Sequence, residues 1–129
     1  MSLMRAHGQF EIHREGDVII SRLIGAWNAE ALQAYQSQYH DWVDAVGGKP
    51  WAKLVDLRGW ETSPMELIEP YQQFQRRCVE QGCRAIGFVS GLQLHHYLVE
   101  QTEFACPVLI DGDETIVRRW LDQQGFATD

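Results

Sequence analysis

No stretch of this sequence approaches the ~18 consecutive apolar residues that a membrane-spanning helix requires. Residues 1–7, Met-Ser-Leu-Met-Arg-Ala-His, hold no apolar core of a signal peptide either. Cysteine is sparse and odd in number. Cys78, Cys83 and Cys106 do not make a disulfide framework, which points to a reducing compartment, the cytoplasm. Basic residues are outnumbered by acidic ones, 11 to 18, for a formal charge of −7. That excess repels phosphate backbones and argues against nucleic acid as a partner, with Arg76-Arg77 and Arg118-Arg119 as local basic pairs. Catalytic signatures are missing as well: there is no Gly-x-Ser-x-Gly elbow, no Gly-rich phosphate loop and no thiolate pair with metal spacing. Neither a metal nor a cofactor is expected.

What is present describes an ordinary globular chain. Its 129 residues are 45% hydrophobic and 22% charged, enough for one domain with a real core. Residues 1–8 read as an N-terminal extension, disordered or left by cloning, and 9–126 as the domain. Phe10-Glu-Ile-His13 alternates apolar and polar, Arg14–Asp17 supplies a turn, and Val18–Ile24 resumes as an apolar strand. That is a β-hairpin. Asn28 then caps a helix carrying Leu32, Tyr35, Tyr39, Trp42 and Val46, which Gly47-Gly48 and Pro50 stop. Trp51–Arg58 is the next strand. Ser63-Pro64-Met65-Glu66 has the form of a capping box with proline in the first helical position. The helix it starts runs to Gly82, and Pro70 is expected to kink it or to divide a first turn from a main body. Arg84–Val89 is a strand, with Ser90 the expected cap of a helix bearing Leu94, Tyr97, Leu98 and Phe104. The chain closes with a strand at Val108–Ile110, a turn at Asp111-Gly112, and a helix that starts on Asp113 and packs Ile116, Val117, Trp120 and Leu121. Helices between successive strands imply right-handed crossovers and a mixed, mostly parallel sheet of about five strands covered by helices: an α/β fold.

This order resembles the STAS-like fold of anti-sigma-factor antagonists, in its SpoIIAA-like bacterial branch. The strings that carry the likeness are Lys53-Leu-Val-Asp-Leu-Arg58 before a capped helix, Arg84-Ala-Ile-Gly-Phe-Val89, and Val108-Leu-Ile-Asp-Gly-Asp-Glu114 with Trp120-Leu121. They span about residues 9–125. The resemblance implies a regulatory role, and in phosphorylation switches of this group a Ser or Thr opens the helix after the third strand. Thr62 and Ser63 stand there. The Asp-Ser-Gly type of string is absent and Pro64 follows, so Ser63 reads first as a helix cap.

Ligands of α/β sheets meet the loops at the carboxyl ends of the strands. Here those loops hold Trp27-Asn28, Arg58–Ser63, Ser90–Gln93 and Asp111–Asp113. Trp27 and Trp60 are either binding aromatics or core lids, and Arg58 either an anion fork or the partner of a surface carboxylate. His95 and His96 point about 100° apart on a helix, which makes them poor joint metal ligands and reads as a solvated pair. Asp56, inside an apolar strand, is the one carboxylate open to a raised pKa, and reads first as an acid hydrogen-bonded near the strand end. Asp111, Asp113 and Glu114 are explained by a helix start, without a cation.

The expectation is therefore a non-catalytic domain that engages a regulatory protein or a small apolar or anionic ligand through Trp27, Arg58, Trp60, Thr62, Ser63, His95 and His96. The alternatives are a phosphorylation switch at Thr62 or Ser63 and a small enzyme using Asp56, His95 or His96. The stripe of Tyr35 and Trp42 suits a homodimer face and core packing equally.

Overall fold

The computed structural model describes residues 8–62 and 65–128. Strands β1 (Gln9–Glu15) and β2 (Val18–Ala26) form the hairpin, and α1 (Ala29–Val46) leads to β3 (Trp51–Thr62). A 3-10 turn at Met65–Leu67 precedes α2 (Ile68–Glu80). Then come β4 (Cys83–Val89), α3 (Gln93–Glu100), β5 (Val108–Asp111) and α4 (Glu114–Gln123). The five strands lie in chain order, β1 antiparallel to β2 and the others parallel. No helix among the described residues is long and apolar enough to cross a membrane.

Local chemistry sets these boundaries. The Asn28 side chain accepts the Ala31 N–H at 3.0 Å and so opens α1. Gly47 closes it at φ 74°, a left-handed conformation that a Cβ would oppose. Asp113 accepts the Thr115 N–H at 2.8 Å and opens α4 in the same way. Ser63 and Pro64, the heart of the expected capping box, lie outside the described residues. Pro70 stands in the first turn of α2, after the 3-10 segment. Its missing N–H costs nothing there, because the first four N–H groups of a helix have no intrahelical acceptor. The chain is divided into a first turn and a main body, as one of the two expectations had it, but between Leu67 and Ile68, ahead of Pro70.

The sheet separates two cores. On one face, α1, α2 and α3 pack over Ile19, Leu23, Trp51, Val55, Leu57, Ile86 and Phe88. On the other, Val117 and Leu121 of α4 pack over Val18, Ile20, Ala52, Leu54, Ala85 and Val89. The alternation of Val18, Ile19 and Ile20 between the two cores is the strand period of two, read on a sheet covered on both sides. Ile116 does not join this packing: it is exposed, one step off the stripe that Val117 and Leu121 define.

Three further expectations need correction. Strand β3 runs four residues past Arg58, so Trp60 sits in a strand rather than a loop. Helix α3 is short: it starts after Leu92, which gives no side-chain cap, and ends at Glu100, leaving Phe104 in the following loop. Ser90 uses its hydroxyl elsewhere, as described next.

Candidate functional site

The extension of β3 comes with broken register. Arg22 faces Asp56 on the neighbouring strand, but Ile24 faces Gly59 and Ala26 faces Thr62, so β3 gains a residue relative to β2 at two places. Bulges of this kind re-aim side chains. Trp51, Val55 and Leu57 point into the three-helix core at odd positions, and after the first bulge the indole of Trp60 packs against that same core.

At the end of β4, Ser90 is buried and organises two histidines. Its Oγ accepts the Leu92 N–H at 3.1 Å and lies 2.6 Å from His95 Nδ1, while its carbonyl accepts from His96 Nε2 at 2.7 Å. His95 is consequently pulled inward to 1% exposure. Burial, followed by the neighbouring His96, holds its pKa below the ordinary histidine value, so the ring is neutral near pH 7. The expected solvated pair is not what forms. His95 packs on Trp60, ring centroids 5.1 Å apart, and His96 is tied to the backbone.

Between the sheet and helices α2 and α3 lies an apolar cavity of about 260 Å3. Its floor is Val55, Leu57 and Phe88, and its walls include Trp60, Phe74, His95, Leu98 and Phe104. Met65, Ile68 and Leu94 also line it, and all three are exposed. Trp60 Nε1 and His95 Nε2 are both buried from solvent and have no hydrogen-bond partner in the protein. An unsatisfied buried polar atom costs about 1–3 kcal/mol. Here two such atoms lie on touching rings in one cavity wall.

The other expected site residues fall away from this cavity. Trp27 is 2% exposed, donates to the Ile24 carbonyl at 3.1 Å, and packs at a tilt on Phe10 and edge-on against Tyr35. It is a core lid. Arg58 grips Asp56 with two hydrogen bonds, at 3.0 and 2.8 Å, and reaches Glu114 at 2.7 Å, which makes it a tie between β3 and α4. Asp56 is hydrogen-bonded near the strand end, the first of its two expected readings, and not raised in pKa, the second. Burial is the strongest single influence and raises its pKa, but the Arg58 side chain and N–H, with the charges of Arg58 and Arg22, outweigh it and hold the carboxyl below its usual value. The acid is an ion-pair anchor, not a poised base. Asp56→Ala is expected to cost about 2 kcal/mol in urea unfolding, since it strips partners from Arg58 and from the backbone; a loss under ~0.5 kcal/mol would contradict that role. Ser63 and the side chain of Thr62 lie outside the described residues. Among the described residues no cluster of His, Cys, Asp and Glu is suited to a metal ion, and the three thiols are free.

Sequence reading named Trp60 and His95 among its candidates but not the cavity that both line. Tyr71, Leu98 and Phe104 were missed as lining residues. The available signal was apolar side chains on a short helix, Leu94, Tyr97 and Leu98, more numerous than one buried stripe needs.

No protein-family model matches this sequence, and no curated protein matches it. The structure is similar to the crystal structure of an uncharacterized protein of the DUF3478 family, with a SpoIIAA-like fold, from Shewanella loihica PV-4. The TM-score is 0.70 over 94% of this chain and 98% of that one, at 11% identity. The chain has a SpoIIAA-like fold, and at this identity the likeness concerns the fold alone.

Proposed function

We propose that this chain is a non-catalytic binding domain of the cytoplasm. Its ligand is a small, mostly apolar molecule held between β3, α2 and α3. One observation carries the reading: an apolar cavity of about 260 Å3 with two unpartnered buried nitrogens in its wall. At roughly 30 Å3 per water-sized atom, that volume suits a body of about nine non-hydrogen atoms. Apolar lining with a few polar groups is the usual composition of small-molecule sites. The free thiols agree with a reducing compartment, and the charge of −7 agrees with a ligand other than nucleic acid. The hydroxyl beside His95, that of Ser90, is fully buried and engaged by the Leu92 N–H, and the carboxylate lining the cavity is Glu61, on an exposed residue, so neither is assigned a role as nucleophile or base.

The exposed residues Met65, Leu92, Leu94 and Tyr97 favour a second reading, a regulatory protein covering the cavity mouth. Titration with 1-indanone, followed by amide and indole NMR shifts, separates the two. Saturable shifts confined to Trp60, Leu98, Phe104 and their neighbours are expected for a small-molecule site. No shifts at millimolar concentration, or shifts scattered over the surface, would overturn it.

A further inference from the structure

The hydrogen-bonding state of the cavity wall says what the ligand carries. Ser90 Oγ accepts the Leu92 N–H, and the acceptor that lies against the buried hydroxyl's own proton, among the described residues, is His95 Nδ1, 2.6 Å away; in that pairing the hydroxyl donates and the ring accepts. A neutral imidazole that accepts at Nδ1 bears its proton on Nε2. The unpartnered Nε2 is therefore a donor. Trp60 Nε1 is a donor by constitution. The polar atoms nearby do not answer them. The Tyr35 hydroxyl is paired with Ser21 Oγ at 2.7 Å, the Thr102 hydroxyl donates to the Leu98 carbonyl, and Gln75 Oε1 is taken by Lys53 Nζ at 2.8 Å. Two donors on rings in contact thus await one or two acceptors.

Charge narrows the acceptor. Among the described residues no Lys or Arg lines the cavity and Glu61 does; buried Lys53 stands behind the wall, its Nζ held by Gln75 Oε1 and the rings of Phe74 and Tyr39. A carboxylate or phosphate brought here would be desolvated against neutral N–H groups beside another acid, an arrangement that costs far more than it returns. A ketone, amide or quinone oxygen brings the same lone pairs without that penalty. Seven lining side chains are aromatic rings or imidazole, among them Trp60, Phe74, Phe88, Phe104 and His95, and flat, apolar bodies stack well on such walls.

We infer that the ligand of this cavity is an uncharged carbonyl compound with a compact apolar, preferably aromatic, body, its oxygen hydrogen-bonded by Trp60 Nε1–H and His95 Nε2–H. This rests on the binding reading above. Both nitrogens are sealed from solvent, so the oxygen reaches them with a small side-chain adjustment in the wall, of the size common on binding. Ser90 is a positioning residue that fixes the His95 tautomer.

The test is a set of four probes of one shape, measured calorimetrically with the full chain at pH 7.5: 1-indanone, indane, indane-1-carboxylate and 1-aminoindane. 1-Indanone is expected to bind tighter than each of the others by about tenfold or more, the value of pairing donors otherwise left buried and unanswered. Trp60→Phe keeps an aromatic ring and deletes one donor, and it is expected to shrink the advantage of 1-indanone over indane several-fold. Equal affinity for ketone and hydrocarbon, or preference for the carboxylate or amine, would overturn the carbonyl assignment and leave the apolar site standing. Failure of all four to bind would overturn the site itself. If Trp60→Phe does not fold, the ranking of the probes on the unaltered protein still decides.

Discussion

Gly87→Val is expected to destabilise the protein by about 3 kcal/mol or more, lowering the thermal midpoint by roughly 10 °C. Gly87 lies in β4, paired with Leu54 on one side and Leu109 on the other. A Cβ built there overlaps Cγ1 of Val117 and touches Leu121, both fully buried on α4. The helix rests directly on the strand backbone at this point. Neither side can yield cheaply: the strand is held by ladders on both edges, and Val117 is a β-branched residue with a stiff χ1. The added bulk must lift α4, which also loosens Arg118, whose guanidinium joins Glu15 at 3.0 Å and Glu114 at 2.7 Å. Chemical denaturation measures the effect. A cost below ~1 kcal/mol would show that α4 does not seat on β4 as described.

The second large effect concerns the cavity. Leu98→Trp places an indole where α3 lines the empty space, and is expected to weaken 1-indanone binding by about 30-fold or more while leaving the unfolding midpoint unchanged or higher. Both signs follow from one cause. Filling a cavity restores missing contacts in the free protein, and the same atoms then exclude the ligand, where even one methylene too many costs roughly 10- to 200-fold. Leu98 is half-buried on a helix that borders solvent, so the larger side chain has room to settle. Unchanged affinity in a stable Leu98→Trp protein would place the binding site elsewhere.

Much of this architecture was legible in the residues because local chemistry dictates it. Asn28, Gly47 and Asp113 end helices for reasons confined to one turn of chain, and the hairpin, the order of elements and the two-sided sheet follow from short-range pattern. The site was less legible because long-range geometry makes it. Trp27 and Trp60 each stand at the end of an apolar strand, and nothing local separates them. What separates them is a register slip against β2, which no single strand records, and the packing of Phe10 and Tyr35 around Trp27. His95 looked solvated because its partner, the hydroxyl of Ser90, was read as a helix cap. Asp56 was legible as a hydrogen-bonded acid but its partners were not, because Arg22 comes from another strand and the fold-back of Arg58 leaves no trace in spacing. The length of α3 was overestimated because Phe104 continues the apolar pattern after the helix has ended.

The central claim is that Trp60 and His95 hold the polar end of an apolar ligand, and the indole N–H of Trp60 reports on it directly. In a proton–nitrogen NMR titration with 1-indanone, that resonance is expected to move downfield saturably, as it gains an acceptor it lacks in the free protein. The His95 ring nitrogens should keep the pattern of a neutral Nε2–H tautomer throughout. A Trp60 N–H that stays in place while the amides around the cavity saturate, or a His95 proton found on Nδ1, would contradict the account.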